Sequence, residues 1–363
     1  MSGGAVSNTR FNGAGTHCNG NPMKTSFTGK RDKRGDWKPD EPIELAPLLA
    51  WPARPMAILK WLFGYPGYFL PWGIIYMAFP IVTWEYLTPA LAQMKSFEAW
   101  WIGYVLARNY ALILAVLCAW HLRLYVQKAQ GTDYKYTNRW LARDNPIFLF
   151  RNQLFDNVFW TAASAVPIWT AYEVITLWLY ANHLIPYVSF REHPIYCVVM
   201  MAAIPMLRDL HFYAIHRLIH WGPFYKWVHY LHHNNVNVGP VTGLSMHPIE
   251  HLLYFSGIIF HWIVPSHPIH ALFHIQHAAI TPAQGHAGFE RVVLHEGVEV
   301  QTHDFFHYLH HKYFECNYGG DGPIPLDKWF GSFNDGTDAS TEAMNARFFA
   351  RMKQKQAAEG GGR

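Results

Sequence analysis

The chain has 363 residues, of which 51% are hydrophobic and 17% aromatic while only 15% are charged, and its formal net charge is +4. So few charges beside so many Trp, Tyr and Phe argue against an ordinary soluble domain, and a mean hydropathy of −0.04 argues against a chain lying wholly within a membrane. The basic residues gather into no nucleic-acid motif, and Cys18, Cys118, Cys197 and Cys316 form no close pair, which sets aside nucleic-acid binding and a disulfide framework.

Residues 1–50 are rich in Gly, Asn, Ser and Thr and read as a disordered polar tail without the apolar core of a secretory leader. Four apolar stretches follow. The first runs from Trp61 to Trp84 with Pro66, Pro71 and Pro80 inside it, and is long enough to span a bilayer. The second, Ala99 to Leu122, contains Arg108 and Asn109, which are tolerable there only if they face the bundle interior or a wet cavity. The third runs from Val158 to Tyr180 around Glu173, and the fourth from Tyr196 to Leu207.

Lys and Arg alternate between the loops. Nine precede the first stretch; then come Lys95 alone, six between Arg123 and Arg151, and Arg191 alone. That alternation predicts four spans, with both termini and everything after about Arg208 on the cytoplasmic side. The expectation is an all-α protein: a transmembrane bundle over 51–207, then a cytosolic helical cap over 208–340 carrying a histidine-rich dimetal site, then a tail over 341–363. Within the cap, the apolar piece Leu252 to Val264 is too short for a span, and 252–280 is expected to form a re-entrant or interfacial hairpin.

Nineteen of the 23 histidines lie between His211 and His311. The pentad HYLHH occurs twice, placing His229, His232 and His233, and again His307, His310 and His311, at helical spacings of three and four that bring side chains to one face. His216 and His220 are likewise four apart. Neutral imidazole suits iron, zinc, copper or nickel, and eight such rings exceed what one four-coordinate ion uses, so two metal ions are expected. His121, His183 and His193 stand alone and read as ordinary structural or exposed histidines.

In this order the motifs resemble the fatty acid hydroxylase and sterol desaturase superfamily of membrane non-haem di-iron enzymes. Asp209, Tyr213 and H216RLIH220 match the first box, and the pentads match the second and third. HPIE at His247 to Glu250, GHAGFE from Gly285 to Glu290, and the closing run Asn317 to Phe333 supply the remaining elements. The resemblance implies a centre of two iron ions, replaceable by zinc in purified protein, with dioxygen as co-substrate. His286 joins the other eight histidines as a ligand, and no catalytic group is expected beyond the metal centre. His247, His303 and Glu290 stand either as ligands or as neighbours of ligands. Asp209, Glu250, Asp304 and Asp327 are expected to accept N–H bonds from ligating rings, which would fix their tautomers. His211, His270, His274 and His277 match no family ligand, and a structural role is favoured for them.

The implied activity is hydroxylation of a lipid C–H bond, of fatty acyl, sphingoid or sterol type, on a substrate entering from the bilayer. Desaturation at the same site and a non-catalytic, zinc-stabilised membrane scaffold are the alternatives. The chain has no HPGG, GxGxxG or cysteine cluster for a redox group, so electrons are expected from a cytochrome b5-like protein or a ferredoxin and its reductase. The expected location is a bacterial inner membrane or the endoplasmic reticulum.

Overall fold

The computed structural model describes residues 28–295, 297–320 and 322–360. It is mostly helical, at 61% helix. Among the described residues, three helical segments are long and apolar enough to cross a membrane: Ala99–Val126, Gln153–Ala181 and Pro194–Ile219. Only 22% of the most apolar window is buried in the first and in the last of these, so their apolar side chains, Leu114, Val198 and Val199 among them, face outward. Apolar surface of that extent needs lipid or a partner.

The first stretch differs from the expectation of one continuous span. Helix α1 (Pro55–Phe63) stops at Gly64, and the backbone folds back through Tyr68 N–H to Trp61 O before α2 (Trp72–Tyr86) begins. Pro66 and Pro71 lack the N–H groups a continuous helix would need, and the 15 residues of α2 fall short of the roughly 20 required to cross. The other three stretches are helical throughout. Helix α3 (Ala99–His121) continues into a π-turn at Leu122–Val126. Helices α4 (Gln153–Trp160) and α5 (Val166–Ala181) join through a π-turn at Thr161–Ala165, and α6 (Pro194–Ile219) runs unbroken past Pro205.

The polar residues within these helices face inward. Arg108 pairs with Glu173 across α3 and α5, and Asn109 Nδ2 donates to Glu173 Oε2 at 3.0 Å and to Thr170 Oγ1 at 3.1 Å. All three of Arg108, Asn109 and Glu173 are buried, so the charges cancel where lipid cannot solvate them.

Past α6 the elements shorten: α7 (Gly222–Phe224), a π-turn at Tyr225–His229, α8 (Tyr230–His233), α9 (Pro248–Phe255), α10 (Phe260–Ile263), α11 (Pro268–Ile280) and α12 (Pro282–Gly285). Helix α11 is buried on nearly every face, packed between α2, α5 and α6. The main core joins α2, α3, α5, α6, α9 and α11.

A β-hairpin, β3 (Arg291–His295) with β4 (Val298–Gln301), precedes α13 (Phe305–Tyr313), α14 (Leu326–Trp329) and α15 (Asp338–Gly360). Of the expected polar tails, residues 1–27 and 361–363 lie outside the described residues. The adjoining parts are ordered. Strands β1 (Gly29–Arg31) and β2 (Trp37–Pro39) pair antiparallel, and Trp37 packs with Tyr136, Tyr308, Leu309 and Met344 of α15 in a second core. The low hydropathy of both ends hid that anchor, which depends on one Trp and one Met.

Candidate metal centre

Two groups of imidazoles stand side by side where α6, α8, α12 and α13 converge. His216, His220, His229, His233 and His310 form one set; His232, His286, His307 and His311 form the other. Within each set the nearest ring nitrogens all lie within 4.8 Å of one another. All nine histidines nominated as ligands are therefore brought together.

Each pentad is divided between the sets. His229 and His233, four apart, join the first set while His232 joins the second; His307 and His311, four apart, join the second while His310 joins the first. Successive helical residues project about 100° apart, so positions three and four after the first histidine diverge once a ligand-sized gap opens on either side of the helix. The π-turn that ends on His229 widens the backbone just before α8, an arrangement frequent at functional sites.

The ring nitrogens face one another at close range. His216 Nε2 is 3.1 Å from His229 Nε2, His310 Nε2 is 3.1 Å from both His220 Nε2 and His233 Nε2, and His286 Nε2 is 3.1 Å from His311 Nε2. On four of the rings the opposite nitrogen already has a backbone acceptor, whereas His233 Nδ1 and His311 Nδ1 are buried without one. His216 Nδ1 donates to Tyr318 O at 2.5 Å, His310 Nδ1 to Cys316 O at 2.7 Å, His286 Nδ1 to Pro282 O at 3.0 Å and His232 Nδ1 to Ser245 O at 3.2 Å. A neutral ring that donates through Nδ1 presents a lone pair at Nε2, and lone pairs turned on one point repel unless a cation sits between them. The donor sets thus fit two divalent ions of the kind imidazole prefers.

Burial keeps the rings neutral. It lowers His232 to about 4 and His310 to about 3, and with the neighbouring rings it holds His229, His233, His307 and His311 well below the usual histidine range. His229 Nδ1 lies 2.8 Å from Glu250 Oε1. Burial pushes the Glu250 carboxyl up.

Of the four acids expected to brace ligating rings, Glu250 does so directly. Asp327 instead accepts from Tyr318 N at 2.9 Å and Gly319 N at 2.7 Å, so it positions the carbonyl that receives His216. Asp209 accepts from Gly320 N at 3.2 Å in the same loop. Asp304 accepts from Gly288 N at 2.7 Å; Gly288 has φ +76°, and a Cβ there would lie 2.6 Å from Tyr125 Oη. The four backbone carbonyls went unnoticed in the sequence, because any residue type carries one.

His247, His303 and Glu290 join neither set. His247 Nδ1 accepts the Ile249 N–H at the start of α9, Glu290 is held by Tyr136 Oη at 2.7 Å and Gln301 Nε2 at 2.9 Å, and His303 lies just before α13 on the cavity wall. The extra histidines make structural bonds: His270 Nε2 to Cys197 O at 3.0 Å, His274 Nδ1 to His261 Nε2 at 3.1 Å, and His211 Nε2 to Ser256 Oγ at 3.0 Å. His277 packs on Tyr76 and Phe273.

A cavity of about 920 Å³ begins at His216, His229, His232, His286 and His307 and extends past Phe212 and Tyr254 to Trp72, Tyr76 and Met77. An apolar helical bundle, a buried double imidazole centre and a cavity joining the two define a membrane-associated histidine-box protein. Residues 200–332 match the fatty acid hydroxylase family model, which supports the fatty acid hydroxylase and sterol desaturase superfamily.

It is 25% identical over 223 residues to a Delta(7)-sterol 5(6)-desaturase of Candida glabrata, covering 59% of this chain and 58% of that one. It is 27% identical over 209 residues to a Delta(7)-sterol 5(6)-desaturase of Gibberella zeae, covering 54% and 60%. A Dictyostelium discoideum protein provisionally named a methylsterol monooxygenase is 26% identical over 147 residues, covering 38% and 51%. The chain thus spans between half and three-fifths of the length of these relatives. No solved structure matches it.

Proposed function

We propose that this chain is a membrane-bound, dioxygen-dependent di-iron oxygenase that hydroxylates a C–H bond of a lipid. The observation that carries the reading is the pair of neighbouring imidazole sets, of five and four rings, at the head of a cavity leading into apolar helices. One structural zinc takes four ligands, so nine rings in two sets exceed that need. When bound, two iron ions would supply the redox chemistry with dioxygen that removes hydrogen from an unactivated C–H bond.

The chain's own residues do the rest. The carbonyls of Tyr318, Cys316, Pro282 and Ser245 and the carboxyl of Glu250 hold five of the rings, those of His216, His310, His286, His232 and His229, in one tautomer with Nε2 turned inward. Phe212, Trp72 and Met77 offer apolar walls to a fatty acyl, sphingoid or sterol chain, and burial of the rings keeps bulk water from the reacting carbon. The similarity to sterol desaturases supports a second outcome at the same site, loss of two hydrogens to give an alkene.

We read the membrane part, 51–207, as four-span, with α1 and α2 making the first crossing in two pieces beside α11 and both termini cytoplasmic. Residues 208–340 form the catalytic cap. Electrons come from a cytochrome b5-like protein or a ferredoxin and reductase.

The test is metal and lipid analysis of protein made with ample iron, for the wild type and for His232→Ala. Near two irons per chain, and an oxidised lipid that appears with the wild type alone, support the reading. Stoichiometric zinc under those conditions without a new lipid would sink it in favour of a scaffold.

A further inference from the structure

Arg208, Phe212 and His216 follow one another at spacings of four and so share a face of α6. The Arg208 guanidinium lies over the Phe212 ring, with Cζ 5.0 Å from its centroid, and that ring lies 4.9 Å from His216 of one imidazole set and 6.2 Å from His307 of the other. One aromatic ring therefore separates a cation from both sets, and all four residues line the cavity.

The cation is only partly satisfied. Arg208 Nη2 donates to Tyr254 Oη at 2.7 Å, and Tyr254 Oη in turn donates to Ala278 O at 2.7 Å, so the phenol is fixed. Arg208 Nε is buried without a hydrogen-bond partner, and among the described residues no carboxylate lies within ion-pair distance of the guanidinium. His277, on the same cavity wall, has a buried Nδ1 that is also without a partner. Arg108 in the same bundle shows the contrast, since it is paired with Glu173. Contact with the Phe212 and Tyr254 rings offsets part of the cost of an unpaired charge in a spanning helix, but the planar fork of N–H donors suits a bidentate anion better.

We propose that Arg208, oriented by Tyr254 and assisted by His277, anchors an anionic oxygen group, a carboxylate or a phosphate monoester, at the polar end of the lipid substrate. The inference rests on the cavity being the substrate site. Its consequence is positional: the carbon presented to the imidazole sets lies within about 10 Å of the anchored group, because ring contacts of 5.0 and 4.9 Å bridge the interval. A neutral sterol would leave the guanidinium unmatched.

The test is equilibrium binding to the purified, metal-loaded, full-length protein in detergent, using tritiated oleic acid displaced by oleyl alcohol, oleyl phosphate or cholesterol. Turnover plays no part in this readout, so a failure of the oxygenase reading and a failure of this one are told apart. The expected result is that the acid or the phosphate competes at least about tenfold better than the alcohol, as a charge-assisted bidentate contact allows. Stronger competition by the acid identifies a free carboxylate, and by the phosphate a phosphorylated headgroup. Arg208→Gln is expected to abolish the preference while leaving metal content unchanged, and Arg208→Lys to keep part of it. Equal competition by acid and alcohol in the wild type, which needs no variant to fold, overturns the proposal. So do survival of the preference in Arg208→Gln and displacement by cholesterol as strong as by the anions.

Discussion

Glu250→Gln probes how the two imidazole sets are held. Glu250 is 2% exposed, its Oε1 lies 2.8 Å from His229 Nδ1, and its Oε2 has no partner. The amide oxygen of Gln can still accept the Nδ1–H bond, so ring orientation survives while the negative charge beside the five-ring set is lost. Outer partners of this kind change metal affinity by about 10- to 100-fold, or about 1.4 to 2.8 kcal/mol. The amide N–H₂ would replace the unpartnered Oε2, adding a buried donor and about 1–3 kcal/mol of destabilisation to the metal-free protein. Competition against a chromophoric chelator with two classes of site is the assay. One class, the set containing His229, should weaken by that factor while the set of His232, His286, His307 and His311 keeps its affinity. Equal weakening of both classes, or of neither, would refute the assignment of Glu250 to one set.

Because the pentads are shared, His233→Ala and His232→Ala should deplete different ions, with each variant retaining about one metal per chain by elemental analysis. Arg108→Ala leaves the Glu173 carboxylate buried without its cation, and should destabilise the detergent-solubilised protein by about 3–5 kcal/mol, whereas Arg108→Met with Glu173→Leu should recover most of the loss in a thermal unfolding series. Burial, and then Arg31, lower the Lys135 ammonium to about 8. The folded chain therefore holds that proton less tightly than the unfolded one, and stability should rise between pH about 8 and 10.5, in a pH-resolved melting series, and not in Lys135→Met. Gly288→Ala would place a methyl group against Tyr125 Oη at a positive φ, and should lower the yield of folded protein.

Much of the site was legible in order along the chain. The doubled HYLHH, HRLIH and GHAG runs bring nine histidines into the centre, since helical spacing and local motif survive folding unchanged. Three helices long and apolar enough to cross a membrane were legible for the same reason: length and apolarity are local properties. Other features were hidden. That the first apolar stretch folds back at Gly64 depends on where Pro66 and Pro71 fall against the packing of α2 on α11, and hydropathy averages over both. That each pentad gives two rings to one set and one to the other depends on which helices flank it, because a spacing of three or four places a side chain on a face without saying what stands opposite.

The carbonyls of Tyr318, Cys316, Pro282 and Ser245 that orient the rings are backbone atoms, identical in every residue, and only the path of the chain could select them. Arg208 shows the same division. Its place on the His216 face of α6 follows from counting residues, but its lack of a carboxylate partner and its position across Phe212 from both imidazole sets exist only in three dimensions.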